Sequence, residues 1–358
     1  MIADFFEWAP YELEKKQKNK KLTEELIRLT RYHQAHCEHY RHFLAASGYV
    51  EEKVQSVADI PFFPVRLFKE MDLLSIDQNE VFKIMTSSGT TGQKASKIFL
   101  DKETAMLQQK AMIQILGDFW GKQRLPMLVV DSPDIVRDRA KFSARGAALM
   151  GFRMMTREMT YVLNSDMSLN WPALHSFLEK YQHQKFIVFG FTFMVWQHFY
   201  KALLGQEQQF DFANAYLMTG GGWKKLEAEA VPRQEFKERL RAALNFQHFL
   251  DHYGMVEQTG CMNVECAHGH LHASNFSDVI VRNPVDFSVC DIGQKGILQL
   301  VSVLPHSYPG HSLLSEDEGM ILGEDDCPCG RKGKYLAVLG RLKNAELRGC
   351  SDVYASRF

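Results

Sequence analysis

An α/β architecture with a smaller β-rich part is what this sequence predicts, and three observations carry that expectation. Compact apolar runs, "PMLVVDS" near 126–132, "KFIVFGF" near 185–191 and "NAYLMTGGG" near 214–222, sit between stretches of helical spacing, as buried strands of an α/β sheet do. Ahead of them, from Tyr11 to about Leu44, apolar residues recur at helical spacing with no Pro or Gly, which predicts one or two amphipathic helices with a solvated charged face. After Gly254 the texture changes. Gly and Pro become more frequent, and "DVIVRNP" and "GILQLVSVLP" follow one another with no helix between them. The aromatic run "PFFPVRLFKEMDLLS" at 61–75 reads as core packing rather than as a ligand box.

Composition narrows the partners. The 358 residues carry 42 basic and 43 acidic side chains, a formal net charge of -1, so nothing draws the whole chain to nucleic acid or to an anionic membrane. No run approaches the roughly 18 to 20 apolar residues of a membrane span. The start "MIADFFEWAPYELEKK" lacks the basic-then-apolar order of a signal peptide, and the expectation is a soluble cytoplasmic protein. Seven cysteines, an odd number clustered late among histidines, point to metal or reactive sites rather than to a disulfide framework.

The stretch richest in chemistry is "MTSSGTTGQKASKIFL", residues 85–100, where a strand-like lead-in meets hydroxyls, two glycines and a lysine. Gly89 and Gly92 let backbone amides approach an anion, Ser87, Ser88, Thr90 and Thr91 add donors, and Lys94 adds a compact positive charge. It is not a Walker loop, whose spacing is absent. In isolation it supports two readings equally, a phosphate site and a Ser/Thr/Gly turn. Farther on, "CMNVECAHGHLH" at 261–272 and "CPCGR" at 327–331 offer thiolate and imidazole ligands that suit zinc. At the end, "GRLKNAELRGCSDVYASRF" places Cys350 near Arg348 and Lys343, cations that favour a thiolate; taken alone, it is read first as an ordinary thiol.

These stretches occur together with "TGGGWKK" at 219–225, "DHYGMVEQTG" at 251–260, "LLSEDEG" at 313–319 and "GRLK" at 340–343. In that order they resemble the N-terminal part of the adenylate-forming superfamily, which activates carboxylic acids with ATP. Within it, the chain is most similar to the LuxE-type acyl-protein synthetase family of the bacterial luminescence fatty acid reductase complex. "IPFFPVRLFKE", "LPHSYPGHSLLSEDEG", "CPCGRKGKY" and the terminal "LRGC" carry that likeness over nearly the whole chain. Phenylacetate-CoA ligases resemble it more distantly.

Spacing and texture divide the chain into an N-terminal helical segment at 1–60, an α/β core at 61–264, a β-rich subdomain at 265–340 and a tail at 341–358, and the resemblance implies that these carry, after the first, nucleotide binding, a zinc site, and a hinge with a nucleophile. It implies that the loop from Ser87 to Lys94 holds the ATP triphosphate. Tyr253 and Gly254 would flank the adenine and the Gly220, Gly221, Gly222 turn would line its other side. Glu257 would help to hold Mg²⁺, a cation that prefers oxygen ligands; read alone, it is a surface carboxylate. Asp317 falls where the family contacts ribose, although "SED" departs from the family's T-G-D and leaves Glu316 as an alternative, and Arg341 matches the family's arginine at ribose and hinge; read alone, it is a solvated arginine. Cys266, His272, Cys327 and Cys329 would hold a structural Zn²⁺, leaving Cys261, His268 and His270 as alternative ligands or surface loop residues. The superfamily's full C-terminal lid, with its catalytic lysine, is expected to be missing, and Cys350 takes the place of the cysteine that the acyl-protein synthetases acylate.

The expected activity is therefore ATP-dependent activation of a carboxylic, in this family fatty, acid to an acyl-adenylate, followed by transfer to Cys350 and delivery to an acyl reductase partner. A CoA ligase acting on an acyl or aryl acid through a diffusible thiol is the alternative enzyme. A non-catalytic nucleotide-binding scaffold is the reading from another class, and the loop at 87–94 argues against it. The sequence does not identify the acid.

Overall fold

The structure, a computed structural model, describes residues 2–87, 95–137, 149, 151–223 and 229–342. Over these residues the chain forms two compact units, neither continuous in sequence: 2–87 with 95–121 and 253–342, and 122–137 with 149, 151–223 and 229–252.

The second unit is built on a parallel sheet. Its strands lie in the order Thr156–Tyr161, Leu125–Val129, Phe186–Phe191, Ala215–Gly220, His248–Tyr253, the last residue of which is counted with the first unit. The chain thus runs outward in both directions from its first strand, and the reversal between Leu125–Val129 and Phe186–Phe191 is a topological switch point of a doubly wound sheet. The three apolar runs of the sequence supply the three central strands, and every residue in them is buried, as parallel strands covered on both faces must be. Leu174, Phe177 and Leu178 of the helix Trp171–Tyr181 share a core with Phe236, Leu240 and Leu244 of Arg233–Leu244 and with Phe186 and Leu217 of the sheet. The first of these helices is started by Asn170, whose side chain accepts from the Ala173 amide, and the second is stopped by Asn245 in the left-handed region.

The first unit is held by one long strand, Ser312–Glu324, of 13 residues. One edge pairs antiparallel with Gly296–Ser302, which pairs in turn with Ser277–Arg282. The other edge takes Phe63–Pro64 in parallel at Leu313 and Leu314, and then Lys334–Arg341 antiparallel from Asp317 to Glu324. Leu271–His272 joins Lys334–Arg341 to Asn263–Glu265. The early aromatic run is core here: Phe63, Phe68 and Leu73 are buried with Tyr308 and Leu313.

Two helices form where one or two were expected, Lys15–His36 and Glu38–Ser47, divided at Cys37, whose backbone is extended; Gly48, at a φ of 69°, ends the second. A third helix, Lys102–Trp120, is begun by Asp101, whose carboxylate accepts from the Thr104 amide at 2.7 Å, and it buries Gln108, Met112, Ile115 and Leu116 on one face. No helix among the described residues is long and apolar enough to cross a membrane.

Polar side chains lock the first of these helices to the segment before the long strand. His33 Nδ1 lies 2.7 Å from Ser75 Oγ and its Nε2 lies 3.1 Å from the Pro305 carbonyl. The ring stacks on His311, whose Nε2 meets Thr30 Oγ1 at 2.9 Å and Tyr40 Oη at 3.2 Å. Burial pushes both imidazoles down, His311 to about 3 and His33 well below its ordinary value, so both are neutral in the folded protein. An unfolded histidine titrates at about 6.5, so this contribution to stability is complete above that pH and is lost as pH falls toward 3. Urea unfolding at a series of pH values should show stability falling below pH 6.5 by up to about 1.4 kcal/mol per pH unit for each histidine. His311→Gln should flatten that slope by about one histidine's share; a variant with the wild-type slope would show that His311 does not titrate on unfolding.

Candidate active site and cysteine–histidine cluster

The described residues on either side of the glycine-rich stretch form a hairpin. Lys83–Thr86 and Lys97–Leu100 pair antiparallel, and Ser87 and Ser96 close the root: the Ser87 amide donates to the Ser96 carbonyl at 3.1 Å, and the Ser96 amide donates to Ser87 Oγ at 2.8 Å. Of the sequence candidates, Ser87 is therefore seen as part of this root. Ser88, Gly89, Thr90, Thr91, Gly92 and Lys94 lie outside the described residues, as does Cys350.

Tyr253, Asp317 and Arg341 come together in the first unit. Asp317 and Arg341 are register partners on adjacent strands, and beside them Glu318 faces Gly340 while Gly319 faces Val338. Leu339 is left as the extra residue of a bulge, a device that re-aims neighbouring side chains. The Tyr253 hydroxyl donates to Asp317 Oδ2 at 2.7 Å, and Arg341 Nε lies 3.7 Å from Asp317 Oδ1. Burial pushes the Asp317 carboxyl up, opposed by the Tyr253 hydroxyl and the Arg341 charge. Arg341 is accordingly not simply solvated. Glu316 is engaged at its backbone, whose carbonyl accepts the Leu342 amide.

Glu257 departs from the surface carboxylate its residue type suggests: it is 6% exposed, in the short turn Val256–Gln258. Burial raises its carboxyl, and the nearby Ser96 hydroxyl pulls it back down. Gly254 packs closely on the same segment, where a Cβ would meet the Cys261 carbonyl at 3.3 Å.

In the second unit the glycine turn follows directly from the strand Ala215–Gly220, at the carboxyl edge of the sheet, where ligands of such sheets bind. Steric demand explains two of its glycines. A Cβ on Gly220 would lie 2.7 Å from the His252 ring, and Gly221, at a φ of 80°, has Phe191 where its Cβ would be. Sequence reasoning missed His252. Burial pushes its imidazole down to about 4, and its Nδ1 is buried without a hydrogen-bond partner. Its one signal in the sequence is its place immediately before the Tyr253–Gly254 pair.

The four residues assigned to a metal converge. Donor atoms of Cys266, His272, Cys327 and Cys329 all lie within 4.8 Å of one another. Cys266 Sγ is 3.9 Å from Cys327 Sγ, and Cys329 Sγ is 3.4 Å from His272 Nε2. Tetrahedral zinc with bonds of about 2.3 Å to sulfur places two thiolates about 3.8 Å apart, so the spacing fits the ion. Burial lowers the His272 imidazole to about 3, leaving it neutral as a ligand must be. Around the cluster, Arg331 pairs with Asp118 at 2.7 Å and lies over the Phe119 ring; against the effect of burial, hydrogen bonds from Arg331 and from the Cys327 and Cys266 thiols hold the Cys329 thiol below its ordinary value. Of the three alternatives, His270 Nδ1 reaches Cys327 Sγ at 3.3 Å, while His268 is exposed. Cys261 is buried rather than on a surface loop, with Sγ 3.0 Å from Ser302 Oγ and 3.7 Å from the Phe276 carbonyl.

Comparison with solved structures places this fold. An open conformation of 2-hydroxyisobutyryl-CoA ligase, in complex with 2-HIB-AMP and CoA, superposes with a TM-score of 0.71 at 15% identity, over 94% of this chain and 77% of that one. The same ligase in its postadenylation state gives 0.68 at 15% identity, over 92% and 69%. The fold is that of the adenylate-forming ligases.

A family profile described as "Acyl-protein synthetase, LuxE" matches residues 2–358, and the chain belongs to that family. It is similar to the long-chain-fatty-acid–luciferin-component ligase of Vibrio harveyi, 25% identical over 350 residues covering 94% of this chain and 88% of the relative. The protein of the same name from Aliivibrio fischeri is 22% identical over 347 residues, with 94% and 88% covered. The chain is thus an enzyme, an AMP-forming acid–thiol ligase that activates an acid by adenylation with ATP.

Proposed function

We propose that this enzyme activates a long-chain fatty acid and carries the acyl group on Cys350 as a thioester, for delivery to an acyl reductase. Membership of the acyl-protein synthetase family and the names of the curated relatives support the acid and the protein acceptor. The single structural observation that carries the reading is the Tyr253, Asp317 and Arg341 constellation, with buried Glu257 four residues along the chain from Tyr253.

In the first step a carboxylate oxygen of the acid attacks the α-phosphorus of ATP, an O–P bond forms, and pyrophosphate leaves. Lys94 and the amides and hydroxyls from Ser87 to Gly92 meet the charge that develops on the phosphates. Glu257 would hold Mg²⁺, which when bound neutralises phosphate oxygens. Asp317 and Arg341 are assigned to the ribose, Tyr253, Gly254 and the Gly220–Gly222 turn to the adenine. In the second step the Cys350 thiolate attacks the acyl carbonyl carbon, a C–S bond forms, and AMP leaves with the electron pair of the broken C–O bond.

The cluster of Cys266, His272, Cys327 and Cys329 would hold Zn²⁺ as a closed structural site. A thiolate-rich set with neutral imidazole is chemically suited to that ion, and it ties the Leu271–His272 strand to the loop before Lys334–Arg341.

Elemental analysis of protein purified without added metal should find one zinc per chain. Cys329→Ser should lower both occupancy and melting temperature, whereas a metal-free wild type of full stability would contradict the site. Intact-mass analysis after incubation with ATP, Mg²⁺ and fatty acids tests the carrier. The wild type should gain an acyl mass that neutral hydroxylamine removes, and Cys350→Ser should lose that gain while keeping acid-dependent pyrophosphate exchange. Normal loading of Cys350→Ser would place the acyl group elsewhere, and acyl transfer to added coenzyme A without protein loading would favour a diffusible acceptor.

A further inference from the structure

The turn bearing Glu257 is gripped by groups that nothing in the sequence motifs singles out. The Tyr308 hydroxyl donates to the Glu257 backbone carbonyl at 2.9 Å, and Gln108 Nε2 donates to Tyr308 Oη at 3.1 Å. All three residues are buried, and Tyr308 is fully so. The same turn is tied from its other end by Gln258, whose Nε2 donates to the carbonyls of Leu300 and Gly310.

Two glycines mark how close the surrounding backbone comes. A Cβ on Gly310 would lie 2.9 Å from the Glu257 carbonyl oxygen and 2.3 Å from the Tyr308 ring. A Cβ on Gly260, at a φ of 92°, would lie 2.7 Å from the backbone of Gln108. The Glu257 turn is therefore fitted between the helix Lys102–Trp120 and the segment leading into the long strand, and one hydrogen-bonded chain runs through the contact.

That helix also follows directly from the hairpin whose root is Ser87 and Ser96, with Asp101 capping it one residue after the strand Lys97–Leu100. Gln108 thus connects the helix that follows that hairpin to the turn that carries the acidic residue.

We propose that Gln108 and Tyr308 are positioning residues for adenylation, fixing the Glu257 turn against the 102–120 helix so that its carboxylate is set for the divalent cation that accompanies ATP. The proposal rests on the reading of Glu257 as a ligand to that cation. Neither residue touches the reacting atoms; both act through the Glu257 backbone. Because Tyr308 both donates and accepts, removing its hydroxyl breaks both links, whereas removing the Gln108 amide breaks one.

The test uses the full chain as Tyr308→Phe, Gln108→Leu and the double variant, with Glu257→Gln as the reference. Tyr308→Phe keeps the ring and its packing, and Gln108→Leu provides a second break should the first fold poorly. Thermal unfolding is followed as Mg²⁺ is titrated at fixed ATP with no acid present, a readout of binding without turnover, and the Mg²⁺ dependence of pyrophosphate exchange is measured in parallel. Tyr308→Phe should raise the Mg²⁺ needed for half-maximal stabilisation about fivefold, the worth of the net hydrogen bond that reaches the Glu257 turn, and Gln108→Leu, which leaves that bond in place, should raise it by a smaller factor of about two to three. The double variant should do no worse than the more affected single one, because both act on one chain. Loss of melting temperature with an unchanged Mg²⁺ midpoint would overturn the proposal, as would fully additive effects. If Glu257→Gln itself keeps the wild-type Mg²⁺ midpoint, the underlying reading of Glu257 fails and the proposal fails with it.

Discussion

The Asp317–Arg341 pairing in the first unit depends on the hydrogen-bonded edges of the strand Ser312–Glu324. Three other strands are registered on it, and it brings Asp317 opposite Arg341. Its length gives each edge room for a different task. The Phe63–Pro64 pairing at Leu313 anchors the aromatic core, while the pairing with Lys334–Arg341 runs toward the cysteine–histidine cluster. A register slip of one residue would turn Asp317 to the opposite face and remove it from Tyr253, which is why the bulge at Leu339 is a feature of the site rather than an irregularity.

Around that strand the protein buries groups that prefer water and then partners them. The Tyr253 hydroxyl donates to Asp317, and Tyr308 links Gln108 to the Glu257 turn; nearer the surface, Arg331 pairs with Asp118. Buried polar groups left unpaired are costly, so such pairs specify geometry as well as composition. The acid-activating chemistry of the family needs that fixity, because charge that develops on transferring phosphates is stabilised best by groups already in place.

Much of this was legible in the sequence, and for physical reasons. The three apolar runs are fully buried parallel strands, for which continuous hydrophobicity is the requirement, and they emerge at 125–129, 186–191 and 215–220. Cysteine and histidine at fixed spacings announced the cluster, since few other uses gather those residue types on two loops. Burial was not legible. Glu257 and Cys261 look like surface residues in one dimension and lie inside, because their segment is covered by a helix and strands distant in sequence. The His33 and His311 pair, separated by hundreds of residues, carries no local signal, and Tyr308 and Gln108 become partners only when the Lys102–Trp120 helix is laid against the turn.

The central proposal is that the enzyme activates its acid with the phosphates of ATP met by residues 87–94 and Glu257. Exchange of labelled pyrophosphate into ATP measures that step alone, before any thiol is needed. With wild-type protein, exchange should require both Mg²⁺ and a fatty acid, and it should fall at least about tenfold in Lys94→Ala, a loss on the order of 1.4 kcal/mol in transition-state stabilisation. Exchange that is absent with every acid offered, or that is undiminished in Lys94→Ala, would contradict the account.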